Sequence, residues 1–250
     1  MNVQHRRSLR FSVSRRACHA GVVGLVLALA GCAAPKVDLQ PEAKQSVRRI
    51  AVIQTPEPDE YLMMPAQNPA GAGLYLFGAI GGAILGGIEA NRMKSASKQF
   101  TDAVAPFKPN VHPTFQSRLA AGLKAKGYQV ALVPAPPKKS DGKDYDLSKV
   151  QGDFDGFLVA TLNGGYAMQG RQAVPRLVGS VALQDRSSEP KYFAQTYVYG
   201  PMKLPNANQI AAEPQHTFAS AEALHANGQL AADALRTGAS KIADEVIAQF

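Results

Sequence analysis

Cysteine is almost missing from this 250-residue chain: Cys18 and Cys32 are the only two, and both precede Ala33. From Ala33 onward there is no thiol for a disulfide, a zinc cage or a nucleophile, so stability there must come from packing. Catalytic signatures are missing too. The histidines of that region are His112, His216 and His225; none stands at metal-ligand spacing from another, and His-Glu-x-x-His is absent. There is no Gly-x-Ser-x-Gly elbow to present a serine nucleophile. The glycine-rich stretch neither ends in Gly-Lys-Ser/Thr nor follows Gly-x-Gly-x-x-Gly, so it is not a phosphate or dinucleotide loop. With no acid, base and nucleophile set, the chain reads as a non-enzyme that needs no metal or cofactor. A dense basic patch is lacking as well. The formal charge is +8, but five of the 27 basic residues, and none of the 19 acidic ones, lie within residues 1–31; without them it falls to +3. The remaining Lys and Arg are scattered in small groups such as Arg48-Arg49 and Lys138-Lys139, which is not a nucleic-acid footprint.

What is present begins with Arg6, Arg7, Arg10, Arg15 and Arg16, with no acidic residue before them. An uncharged apolar run, Gly21 to Ala30, follows and is too short to span a bilayer as a helix. Basic, apolar and small-residue segments in that order make residues 1–31 a secretory signal peptide rather than a folded element. Leu29-Ala30-Gly31-Cys32 closes it. This block resembles the lipobox of bacterial lipoproteins. The resemblance implies cleavage between Gly31 and Cys32, a lipid (palmitate-type) chain on the Cys32 sulfur, and three acyl chains on the mature terminus. One chain gives only marginal membrane binding at about 0.8 kcal/mol per buried CH₂, whereas several anchor stably. Ala33, where an Asp often marks inner-membrane retention in such lipoproteins, implies delivery to the outer membrane, with the domain facing the periplasm. Ser14-Arg15-Arg16 also invites a twin-arginine reading, but the residues after it lack the usual hydrophobic pair, which favours ordinary unfolded export.

Beyond the anchor, residues 32–46 are polar, carry Pro35 and Pro41, and read as a flexible tether to a single domain at 47–250. Val47 to Gln54 has a β-branched apolar centre and is expected to be a strand. Residues 55–110 read as an insertion. From about Pro113, Phe115, Leu119 and Leu123 recur at helical spacing until Gly127, predicting a short amphipathic helix, and Tyr128 to Val133 a strand. Lys138 to Gly152 is loop-like. Strands are expected at 157–162, 177–184 and 192–199, with turn chemistry at Asn163-Gly164-Gly165 and a hairpin connection at 185–190. A long helix covers 220–250, with a break at Asn227-Gly228. The sum is an α+β fold: a mixed, largely antiparallel sheet covered by an amphipathic helix and a long C-terminal helix. This layout is similar to small periplasmic domains of outer-membrane lipoproteins such as the curli-secretion lipoprotein and the lipoprotein activators of penicillin-binding proteins.

Inside the insertion, Ala70 to Ile88 is free of formal charge and glycine-rich. Gly78, Gly82 and Gly86 are spaced by four, which on a helix lines one side with glycine and lets another backbone approach. The pattern resembles the glycine zippers of bacterial envelope lipoproteins. Three readings stand: a membrane-embedded helix or hairpin, a helix packed on the domain or on a neighbouring copy to form a homo-oligomer, and an apolar loop. Two minor candidates remain. Asp141, Asp144, Asp146, Asp153 and Asp155 form an acidic loop lacking the Gly turn and terminal Glu of a calcium loop, and read as solvated. Tyr192, Tyr197 and Tyr199 share a strand and could face a ligand, although strand aromatics more often pack. The expected function is a non-enzymatic outer-membrane lipoprotein, bound to the bilayer through acylated Cys32, that binds an envelope protein or assembles with it. The alternative is a transport-accessory lipoprotein holding a lipid or other apolar ligand between sheet and helices.

Overall fold

The β-branched segment after Val47 forms the first strand of a seven-stranded sheet, and the architecture is α+β. The computed structural model describes residues 36–64, 87–140, 142, 144–188 and 191–250. These run as helix α1 (Pro41–Ser46), β1 (Arg49–Gln54), β2 (Leu62–Met64), α2 (Gly87–Val104), α3 (Val111–Ala125), β3 (Gln129–Pro134), β4 (Gly156–Gln169), β5 (Gln172–Gln184), β6 (Lys191–Tyr199), β7 (Ala207–Ile210), α4 (Ala221–Ala226) and α5 (Gly228–Gln249). The signal-peptide segment, the cleavage pair Gly31 and Cys32, and Gly78, Gly82 and Gly86 lie outside the described residues. So does segment 70–88, apart from Gly87 and Ile88, which open α2.

Strand order is β3-β1-β4-β5-β6-β7, with β2 pairing β4 beyond the end of β1. The long centre β4-β5-β6 is antiparallel, while β3, β1, β2 and β7 join in parallel, so the sheet is mixed. Helices α2, α3 and α5 pack on one face. Phe100 and Val104 of α2, Phe115, Leu119 and Leu123 of α3, and Leu235, Ile242 and Val246 of α5 join Ile50, Val52, Leu158, Leu177, Tyr197 and Tyr199 in the main core. Among the described residues the opposite face carries no α-helix. Ala51, Ile53 and Phe157 are covered at one end by Leu147 and Val150, and Met64, Val178 and Val198 by Met202 and Leu204 at the other. Between these patches Thr161, Asn163 and Ser180 are exposed.

Several expectations change. Asn163-Gly164-Gly165 is not a turn: β4 runs straight through it. A Cβ on Gly164 would lie 2.1 Å from the Arg176 carbonyl oxygen, and one on Gly165 2.1 Å from that of Leu62, so these glycines serve close backbone approach within a sheet. The chain reverses instead at Gly170-Arg171, where Gly170 (φ 62°) takes the first central position of a two-residue hairpin turn. β5 accordingly starts five residues earlier than the expected 177. The supposed insertion is not an appendage, because β2 belongs to the sheet and α2 fills the core. The tether is shorter than 32–46: Val37 exchanges backbone bonds with Ala194, and Ala43 is buried. The break at Asn227-Gly228 separates α4 from α5 as expected.

Candidate functional site

Among the described residues, two buried polar clusters and the β3 edge of the sheet are features that can carry chemistry or contact. The first cluster lies where β6 ends under α5. A Cβ at Gly238 would sit 2.6 Å from the Tyr199 ring, so only glycine lets the helix rest on that aromatic. The Tyr199 hydroxyl donates to Glu213 and lies 3.2 Å from His216 Nδ1, and Lys241 Nζ is 2.5 Å from Glu213 Oε1. Tyr166 closes the group by donating to the His216 carbonyl at 3.0 Å. Burial would raise the Glu213 carboxyl, but bonds from Lys241 and Tyr199 outweigh it and hold it at about 2. Burial, with Glu213 beside it, pushes the Tyr199 phenol well above its ordinary range. A tyrosine that stays protonated and a carboxylate that stays ionised make a fixed strut, not a poised acid–base pair.

The second cluster fills the gap that β1 and β2 leave along β4. Thr55 donates to the Ala160 carbonyl, and the His112 ring nitrogens face the carbonyls of Pro56 and Leu162, the latter at 2.8 Å. Asn110, at the helix start, gives α3 no side-chain cap. Glu57 supplies it from a distant loop, accepting from the Val111 and His112 backbone N–H groups at 2.7 and 2.8 Å and from the Tyr61 hydroxyl. Both clusters therefore satisfy backbone and side-chain groups that the topology would otherwise strand.

The remaining sequence candidates have structural partners. Asp155 accepts from the Arg48 and Arg49 N–H groups and pairs with the Arg49 guanidinium, which also reaches Asp153; the Arg49 bond, opposed by slight burial, brings the Asp155 carboxyl to about 2. Asp146 caps a short 3-10 turn at Leu147–Lys149. No metal-holding group occurs among the described residues. Tyr197 and Tyr199 are fully buried under the helices and Tyr192 is half-buried, so this strand faces core, not a groove. His225 stands half-buried on α4. Pattern reading overlooked Arg176, a buried guanidinium that donates to the Met64 sulfur and is pulled down to about 10 by burial. It also overlooked Ser95-Ala96-Ser97-Lys98, a Ser-x-x-Lys on α2; Lys98 there pairs with Asp102 at 2.7 Å.

Grooves of about 320, 470 and 340 Å³ open on the described residues. The first lies between α3 and α5 at Gly122 and Ile247, the second at Phe107 and Leu230, and the third along Val133, Pro134, Pro136, Pro137 and Val150. All three are on the outside. No helix of the described residues is long and apolar enough to cross a membrane.

No family model matches the chain, and no curated protein does. Among solved structures, protein XCC0632 from Xanthomonas campestris, of the family DUF330, is similar with a TM-score of 0.36 and 9% identity over 86% of this chain and 90% of that one.

Proposed function

We propose that this protein is a non-enzymatic lipoprotein of the bacterial outer membrane, held through acylated Cys32 with its α+β domain on the periplasmic side, and that it serves as a binding or assembly partner for another envelope protein. The observation that carries this reading is the order of basic residues, apolar run and Leu29-Ala30-Gly31-Cys32. The structured part supports it: the polar clusters act as struts, and α5 rests directly on Tyr199 and Gly179, leaving no room there for an apolar ligand. The glycine-rich segment around Gly78, Gly82 and Gly86 supplies membrane contact or self-association.

Metabolic labelling with radioactive palmitate tests the anchor. The parent chain is expected to incorporate label and to fractionate with outer membranes, while Cys32→Ser stays unlabelled and keeps its signal. A variant that labels as well as the parent overturns the reading.

A further inference from the structure

Strand β3 is an outer edge of the sheet, and among the described residues nothing pairs on its free side. Natural edges are commonly blunted by charge, a bulge or a central proline. This one has none of these. Gln129-Val130-Ala131-Leu132-Val133 is uncharged, runs in unbroken register with Arg49–Ile53, and reaches proline only at its last residue, Pro134. The Gln129 N–H donates to the Arg48 carbonyl, so by strand alternation Val130 and Leu132 turn their N–H and C=O groups outward. Leu132 is 39% exposed, one of three large apolar side chains in that state among the described residues. The groove along Val133, Pro134, Pro136, Pro137 and Val150 continues the edge at its C-terminal end.

We infer that β3 captures an extended, apolar segment of another polypeptide by antiparallel strand addition, with acidic residues at that segment's C-terminal end. Main-chain bonds to Val130 and Leu132 give affinity, and alternate side chains meet Leu132 and the proline-walled groove. Charge selects the occupant. Arg48, Lys124 and Lys126 are exposed at the N-terminal end of β3. Of the carboxylates near this end, Asp155 is paired with Arg49 and Asp244 with Arg118. Antiparallel addition brings the incoming C-terminal end to those cations. A second copy is disfavoured, because the same pairing would set its Lys138-Lys139 end against Lys124 and Lys126.

This inference rests on the binding-partner reading and names the partner's chemistry. Its test is independent of lipidation, which palmitate labelling reports separately. The full chain in detergent is titrated with a fluorescein-labelled peptide, Thr-Val-Thr-Val-Thr-Val-Glu-Glu, and anisotropy is read. Saturable binding is expected, at least tenfold weaker when Lys-Lys replaces Glu-Glu. N-methylation of the backbone nitrogens in one alternating set should cost tenfold or more, and in the other set little. Val130→Pro, which removes an outward N–H, should cost tenfold as well, with its thermal unfolding compared with the parent. The N-methyl series needs no variant and so stands if that substitution disturbs folding. No binding at 1 mM peptide, or equal loss for both methylated sets, overturns strand addition. Concentration-dependent dimers in sedimentation that Val130→Pro disperses would assign the edge to a second copy and overturn the heterologous occupant.

Discussion

Glu213 shows how one side chain ties three elements together. Its carboxylate meets Lys241 on α5, Tyr199 on β6 and His216 on the loop between β7 and α4. Folded, it titrates at about 2 against an ordinary 4.5, so the folded state favours the ionised form. A depressed carboxyl contributes stability that is present above 4.5 and disappears as pH falls towards 2. Its side chain is 23% exposed, so solvent screening keeps this contribution to about 2 kcal/mol. Urea denaturation should therefore show Glu213→Gln less stable than the parent by that order at pH 7, with the two converging near pH 2. Equal stability at pH 7 would show the network to be idle. Sequence reading could not find this cluster, because Tyr199, Glu213 and Lys241 share no local pattern. Gly238 was legible only as a helix residue costing about 1 kcal/mol; its reason is an aromatic ring 39 positions away in the chain.

At the scale of elements, periodicity served well wherever one face of a segment is buried. The β1 and β3 strands, the α3 helix, the β5–β6 hairpin and the break before α5 all follow from spacing and punctuation. Glycine was read wrongly at 163–165, since the same residue that permits a turn also permits two backbones to touch, and only the neighbouring strand decides which. The start of α3 was misplaced for a related reason. Pattern reading put it at Pro113, but the helix begins at Val111 because Glu57, 54 residues earlier, accepts its first N–H groups. That cap carries a prediction. Glu57→Ala strands the Val111 and His112 N–H groups and the Tyr61 hydroxyl, and should cost about 1–3 kcal/mol in chemical denaturation. Hydrogen exchange should increase first at Val111 and His112. An unchanged midpoint would remove Glu57 from the folding account.

For the whole molecule, the proposed lipid anchor and glycine-rich segment would set where the domain works, while the sheet sets what it can touch. If Gly82 and Gly86 line a helix–helix contact, Leu at both positions blocks close approach. Crosslinking in intact cells should then lose its higher oligomers while palmitate labelling stays at the parental level. Oligomers that persist would leave membrane contact as the role of that segment. Oligomers lost together with labelling would point to failed export instead.

The sequence by itself determined the lack of thiol beyond Ala33 and the α+β class, and it carries the proposal of an envelope destination, because these rest on local order, composition and periodicity. Tertiary structure alone decided that segment 55–110 supplies a strand and a helix to the core, that α3 borrows its cap, and that β3 is an apolar edge unpaired on its outer side among the described residues. Each of these depends on which segments meet across long stretches of chain. Side-chain spacing records how a segment meets its own neighbours and carries no term for the partner that arrives later.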